Sequence, residues 1–245
     1  MPFTFSHPAL ILPITKTSTR FSTTAIIIGS IVPDFEFFFQ MREVPNIGHH
    51  ILGFFVFDIP LAIIFCFLYH NVLRNPLIEN LPTYFQKKCA KIYSFDWNTY
   101  ASKNFFLFLS SLILGILSHL LIDEFTHHDG QLVVLLPILK TNIYLASKPF
   151  QVFYLLQIIL SVFGLVSLFQ IIVKSANQTL SNHKIGRNNK WYWLIFANLF
   201  FGTLTLRIWF FPQYNNFWSL VMAFFGCLSY TWIITSILIK FSKIQ

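Results

Sequence analysis

Charged side chains are scarce in this sequence. Asp, Glu, Lys and Arg together make up 11% of its 245 residues, against about 25% in an average soluble domain. Hydrophobic residues make up 55%, and phenylalanine alone occurs 31 times. A soluble domain of this size could not cover so much apolar surface, so the composition excludes that class and predicts a polytopic membrane protein.

The sequence also has little cysteine and lacks nucleotide-binding motifs. Its cysteines, Cys66, Cys89 and Cys227, form no CxxC pair and no disulfide framework, so plain thiols are expected. Neither GxxxxGKS/T nor GxGxxG occurs, which excludes the usual phosphate-binding loops. The net charge of +8 is spread over predicted loops, as topology signals are, so the lipid bilayer rather than a nucleic acid is the expected partner.

Five apolar segments are long enough to span a bilayer, because a helical span needs about 20 residues. We predict an all-α polytopic bundle that forms one integral membrane domain over residues 1–245, with short helices in 1–48 and five spans in 49–245. Two short apolar runs within 9–32 could be re-entrant, interfacial or a spanning hairpin. The predicted spans are residues 50–72, 104–126, 150–173, 191–211 and 217–239.

The polarity of the segments between the spans indicates their structure. Residues 74–103 are polar and predict a loop with one short helix. The apolar run 132–139 is too short to span and is expected to lie along the membrane surface. Pro60, inside the first span, predicts a kink.

Basic residues set the predicted topology. The positive-inside rule places residues 74–103, residues 174–190 and the tail with Lys240 and Lys243 in the cytoplasm. Five spans then put the other segments outside a bacterial inner membrane, namely residues 1–48, 127–149 and 212–216.

A polar stripe ends the second predicted span. His119, Asp123 and His127 are four residues apart, so on a helix each is rotated by about 40° from the last and all three share one face. Two imidazoles and a carboxylate on one face are suited to binding a metal. The alternative is a polar helix end whose histidines meet the membrane interface.

Other candidate ligands are predicted at the same, extracytoplasmic surface. His7, Asp34 and His49 would join the stripe around a divalent cation, with zinc the first choice. Asp34 or Asp123 could bridge two metals, and Asp123 and the spare acid Glu36 are the candidate catalytic groups. Each has a simpler interpretation, as a helix cap, a turn residue or an interface histidine.

Several other polar residues are less favoured. His50 follows His49 by one residue, a rotation of about 100°, so only one of the two should point inward. His128 and Asp129 lie off the stripe. His70 and His183 fall on the cytoplasmic side and are excluded.

Four motifs carry a family resemblance. They are the opening MPFTFSHP, then GSIVPDFE from Gly29 to Glu36, then the Gly48-His49-x-x-x-Gly53 motif, and finally Ser118-His119-x-x-x-Asp123-x-x-Thr126-His127-x-x-Gly130. With them the chain resembles, over nearly its whole length, the bacterial integral membrane protein family called domain of unknown function 4184. The resemblance implies an architecture rather than an activity.

A more distant similarity is to membrane-bound metal-dependent hydrolases and, through them, to zinc-dependent phospholipase C. It implies a ligand order that would fall here on His7, Asp34, His49, His119 and Asp123. The phospholipase pattern continues with a His-x-x-x-Glu that this chain lacks after His128, so one or two metals are expected rather than three.

Two functions follow from these residues. One is a metal-dependent hydrolase that acts on a lipid or phosphoester at the outer membrane surface. The other is a non-catalytic protein, such as a transporter or assembly factor, in which the His and Asp residues form a structural metal site or hydrogen-bond network. Only Asp58 and Arg207 lie deep in predicted spans, which argues against a proton-relay transporter.

Overall fold

The structure is a computed structural model that describes residues 3–17, 21–43, 47–174 and 190–241, with no side chains described at 14–17. The expectations for residues 175–189, including His183, and for Lys243 concern residues outside this part of the chain. The helices are α1 (His7–Thr17), α2 (Thr23–Gly29), α3 (Phe35–Gln40), α4 (Ile51–Gly53), α5 (Ile59–Leu68), α6 (Arg74–Asn80), α7 (Thr83–Tyr93), α8 (Trp97–Lys103), α9 (Phe105–Thr126), α10 (Gln131–Leu135), α11 (Val152–Lys174), α12 (Lys190–Phe210) and α13 (Phe217–Phe241).

Shorter elements connect or interrupt these helices. A two-stranded antiparallel hairpin consists of β1 (Asn142–Leu145) and β2 (Lys148–Gln151). The 3₁₀ turns are Thr4–Ser6, Val32–Asp34, Pro137–Lys140 and Pro212–Tyr214, and the π-helical turns are Phe54–Asp58 and Tyr69–Leu73.

The five predicted spans are confirmed as helices of sufficient length and apolarity. Across the described residues, the five such helices are α4–α6 as one continuous helix, α9 with the α10 turn, α11, α12 and α13. Helix α9 begins and ends within one residue of the predicted span. The chain is therefore a polytopic helical membrane protein.

One prediction about the connecting segments was wrong, and one element was not predicted. Residues 74–103 are mostly helical, because their lysines lie on an amphipathic helix: on α7, Gln86 and Ala90 are buried while Lys87 and Lys91 are exposed. The hairpin was missed because its turn residues, Ala146 and Ser147, adopt positive φ angles of 48° and 64°. Such turns are normally signalled by Asn-Gly or Asp-Gly.

The first long helix accommodates Pro60 through a π-helical turn. The Ile59 N–H donates to the Phe54 carbonyl five residues earlier, so the helix widens immediately before the proline ring. A π turn re-pairs backbone groups that a proline would otherwise leave without partners. Asp58, at the end of this turn, is fully buried.

By its internal contacts the chain divides into two compact units, each made of discontinuous stretches. The first unit comprises Met1–Pro33, Gly48–Ile63 and Asn104–Lys174, and the second comprises Asp34–Ile47, Ile64–Lys103 and Ser175–Gln245. All three cysteines are unbridged, as expected.

In the first unit, α2 crosses α9 at very short range. A Cβ added to Gly115 would lie 2.5 Å from the Ile26 carbonyl oxygen, and one added to Gly29 would lie 2.4 Å from the Leu112 carbonyl oxygen. One turn away, the Ser22 N–H donates to the Ser111 hydroxyl at 2.8 Å. Only glycine permits this backbone approach, as the Ser111-x-x-x-Gly115 spacing suggests.

In the second unit, Arg207 joins the end of α12 to the segment that follows α3. Its buried guanidinium donates to the backbone carbonyl oxygens of Met41, Phe211 and Tyr214 and to the Asn215 side-chain oxygen. These acceptors offset the cost of burying the charge, so Arg207 has a structural role.

We expect Gly115→Ala to destabilise the protein by about 1–3 kcal/mol, because the new methyl group meets backbone atoms that cannot rotate away. For a chain of this size, that lowers the Tm by about 2–4 °C per kcal/mol. The matched control is Gly202→Ala on α12, where an added Cβ would meet nothing within 4 Å. Thermal unfolding of both variants in detergent tests the α2–α9 contact, which would be refuted by equal Tm values.

Candidate functional site

The carboxylate of Asp123 is the centre of the candidate site. Asp123 lies in the last turn of α9 and is buried. Its Oδ2 lies 3.0 Å from His49 Nε2, 3.3 Å from His119 Nε2 and 3.7 Å from His127 Nδ1, and its Oδ1 lies 3.7 Å from His7 Nε2. Four imidazoles from three remote stretches of the sequence therefore surround one carboxylate within the first unit.

The predicted stripe on α9 is confirmed, although its last member lies just beyond the helix. Helix α9 ends at Thr126, and His127 has extended backbone angles. The His127 backbone N–H still donates to the Asp123 carbonyl at 2.9 Å, and its ring Nδ1 lies 3.1 Å from the same oxygen. These two contacts keep the ring beside Asp123.

The tautomer of His119 follows from its partner directly after α2. His119 Nδ1 lies 2.8 Å from the Ser30 carbonyl oxygen, in a fully buried environment. Because a carbonyl can only accept, Nδ1 must carry the hydrogen, and in the neutral ring the lone pair of Nε2 faces Asp123 Oδ2. Two acceptors 3.3 Å apart repel each other unless a cation, either a proton or a metal ion, lies between them.

His7 and His49 approach the same groups from different elements. His7 is the first residue of α1, and its fully buried ring stacks on His119 with centroids 4.0 Å apart. The Phe3 N–H donates to Ser161 on α11, which fixes the turn preceding His7. The ring of His49 lies 5.4 Å from that of His119. His49, His119 and Asp123 each offer one ligand atom, and these atoms lie within 4.8 Å of one another.

The neighbouring polar residues do not join this cluster. His50 is exposed, so only one of the adjacent pair points inward, as predicted. His128 and Asp129 are exposed as well, and the His128 ring packs edge-on against Phe153.

Two predicted site residues belong to the second unit. Asp34 follows Pro33 directly and is fully buried, and its role as a ligand stays a prediction. Glu36 is buried and accepts from the Ile47 N–H at 2.7 Å and from the Gln40 side chain at 3.2 Å. One carboxylate oxygen of Glu36 thus holds Ile47 in the segment that follows α3, and the other accepts from Gln40 at the end of α3. The catalytic role of Glu36 stays a prediction.

Sequence reasoning missed the Ser30 carbonyl as a partner of His119. Every residue has a carbonyl, so no residue type could have signalled it. The nearest signal was the Gly29-Ser30 pair at the end of α2, where a glycine permits close approach of another helix.

Comparison with known proteins identifies the class and then the family. Residues 1–240 match the family described as "Domain of unknown function (DUF4184)", so this polytopic membrane protein belongs to that family. No curated protein and no solved structure matches the chain significantly. The more distant similarity to metal-dependent hydrolases stays a hypothesis.

We expect Glu36→Ala to lower the free energy of unfolding by about 1 kcal/mol, because the Ile47 N–H loses its acceptor. Glu36→Gln keeps an acceptor oxygen and should unfold close to the wild-type Tm. Thermal unfolding of the two variants checks this. A Gln variant as unstable as the Ala variant would show that the charge of Glu36, not the hydrogen bond, supports this segment.

Proposed function

We propose that this protein is a membrane-embedded metal-dependent hydrolase that acts on a lipid or phosphoester. The first-unit residues His7, His49, His119, Asp123 and His127 would hold one or two divalent cations, zinc being the first choice. The observation that carries the proposal is the single buried carboxylate with four imidazoles around it.

The spacing of the candidate ligand atoms supports a metal site. Two ligands bound tetrahedrally to zinc at 2.0–2.1 Å lie about 3.3 Å from each other. Asp123 Oδ2 lies 3.3 Å from His119 Nε2 and 3.0 Å from His49 Nε2. Metal-binding histidines also usually donate their other N–H to a carbonyl or carboxylate, as His119 does to Ser30.

The two oxygens of Asp123 support more than one cation. Oδ2 faces His49 and His119, whereas Oδ1 faces His7. A carboxylate with ligands on both sides can bridge two metal ions, an arrangement found in many phosphoesterases.

Unequal exposure supports a catalytic rather than a closed site. The side chains of His7 and His119 are fully buried, whereas those of His49 and His127 are 22% and 29% exposed. Structural metal sites are closed, but catalytic sites keep an open position. A divalent cation at such a site lowers the pKa of a coordinated water toward neutrality, which supplies hydroxide for hydrolysis.

The distribution of basic residues supports a site on the extracytoplasmic side of the inner membrane. The basic segment 74–103 precedes α9, whereas Asp123 lies in the last turn of that helix. If the positive-inside rule places residues 74–103 in the cytoplasm, the Asp123 end of α9 lies at the opposite surface.

Metal analysis tests the site directly. We expect purified wild-type protein to bind about one or two equivalents of Zn²⁺, because the ligand atoms are already assembled. His119→Ala and Asp123→Ala should each lose most of it, measured by titration calorimetry and elemental analysis.

His50→Ala and His128→Ala are the matched controls, since both histidines are exposed neighbours of the cluster and should leave zinc binding unchanged. Equal zinc content in the His50 and His119 variants, or a wild type that binds no divalent metal, would refute the metal site.

Hydrolysis is tested with the metal-loaded chain on soluble phosphodiesters and on phospholipid vesicles. We expect turnover that falls at least about 100-fold in Asp123→Ala, since the metal would be lost. Metal-loaded wild type that is inert on every substrate would favour the structural metal site instead. Glu36→Gln distinguishes a catalytic from a structural role of Glu36. If Glu36 is the general base, this variant should lose hydrolysis while it keeps the wild-type stability.

A further inference from the structure

Between α9 and α11 lies a segment with an unusually apolar surface. This surface segment, residues 131–151, consists of α10, the Pro137–Lys140 turn and the β1–β2 hairpin. Six of its large apolar side chains are between 44% and 70% exposed in the chain itself, namely Val134, Leu135, Ile138, Ile143, Tyr144 and Leu145.

The connectivity of the chain puts this surface segment at the membrane. Helix α11 and the apolar helix formed by α9 with the α10 turn are both long enough to span. Because the 22 residues of α9 alone already suffice for a span of about 20 residues, the segment that joins α9 to α11 starts and ends at the same face of the bilayer. Its exposed apolar side chains therefore lie at the membrane end of two spans. Exposing so many apolar side chains to water would be unfavourable.

The surface segment is attached to the part of α9 that carries the site. Its buried Val133 and Leu139 pack with Phe153, and Phe125 on α9 packs against that cluster. The Gln131 N–H donates to the Glu124 carboxylate. Because Glu124 and Phe125 directly follow Asp123, the depth of the surface segment in the bilayer also sets the depth of the candidate site.

Charge and aromatic residues agree with a position in the head-group layer. Lys140 and Lys148 are exposed on the surface segment, where each would attract anionic lipid head groups. Tyr144, between them, is the kind of amphipathic aromatic residue that is enriched at membrane interfaces.

We propose that the surface segment inserts into the bilayer leaflet at the face where α9 ends, and that the site next to it acts on the head group of a membrane lipid that arrives from that leaflet. The second half of this inference rests on the proposed hydrolase function, but the first half does not. A water-soluble phosphoester would need no apolar platform beside the site, whereas a lipid must keep its acyl chains in the leaflet while its head group reaches Asp123.

The insertion is tested without any catalysis. Full-length protein with Cys89→Ser, which leaves the buried Cys66 and Cys227, is given a spin label at Leu135→Cys or Tyr144→Cys and reconstituted into phosphatidylcholine and phosphatidylglycerol vesicles. Both labels should be relaxed more by oxygen, which concentrates in lipid, than by a water-soluble nickel chelate. The control label at Asp96→Cys, an exposed position, should show the reverse. If the chelate reaches positions 135 and 144 as readily as position 96, the insertion is refuted.

The substrate class is tested by comparing two substrates on the same metal-loaded variants. Tyr144→Glu should lower turnover of phosphatidylglycerol in vesicles about tenfold and leave hydrolysis of soluble bis(p-nitrophenyl) phosphate unchanged. Ser102→Glu, at an exposed polar position outside the surface segment, should change neither rate.

The failures can be told apart. Hydrolysis of the soluble diester without any lipid turnover, or an equal loss on both substrates in Tyr144→Glu, refutes access from the leaflet while the hydrolase stands. No hydrolysis of either substrate refutes the hydrolase and the lipid substrate together, and the labels then decide the insertion alone.

Discussion

The close crossing of α2 and α9 is the contact on which the site depends. Gly29 and Gly115 let the two backbones approach so closely that a Cβ at either position would collide with the backbone of the other helix. This approach brings the Ser30 carbonyl to His119 Nδ1. That hydrogen bond fixes the hydrogen of His119 and turns Nε2 toward Asp123. The close packing of two helices thereby decides which ring nitrogen of His119, one turn after Gly115, carries the hydrogen.

The ionisable groups of the Asp123 cluster are significant because they are buried. Ionisable groups are costly near hydrocarbon and persist there when they are paired or bind a cation. His7, His119 and Asp123 are almost wholly removed from solvent, whereas His49 and His127 lie at the rim. By contrast, Arg207 in the second unit is surrounded by carbonyl oxygens and an amide, so its charge is satisfied by the fold alone.

The sequence predicted the helical part of the candidate site because helical periodicity is local. The i, i+4 spacing of His119, Asp123 and His127 requires only that the segment be a helix, and α9 supplies that helix almost to its end. His7 on α1 and His49 before α4 could be proposed as partners only because the predicted topology placed them at the same membrane face as the stripe. The charge of Glu36 suggested a base, yet its two oxygens serve the Ile47 N–H and the Gln40 side chain.

The sequence by itself determined the membrane class, the five spans and the α9 stripe, because hydrophobic length and helical period are properties of contiguous residues. The tertiary structure alone decided which histidine of the 49–50 pair faces Asp123, which carbonyl orients His119, and that residues 142–151 form a hairpin. These features depend on contacts between residues far apart in the chain, or on backbone angles that Ala146 and Ser147 rarely adopt, and neither leaves a mark in local sequence.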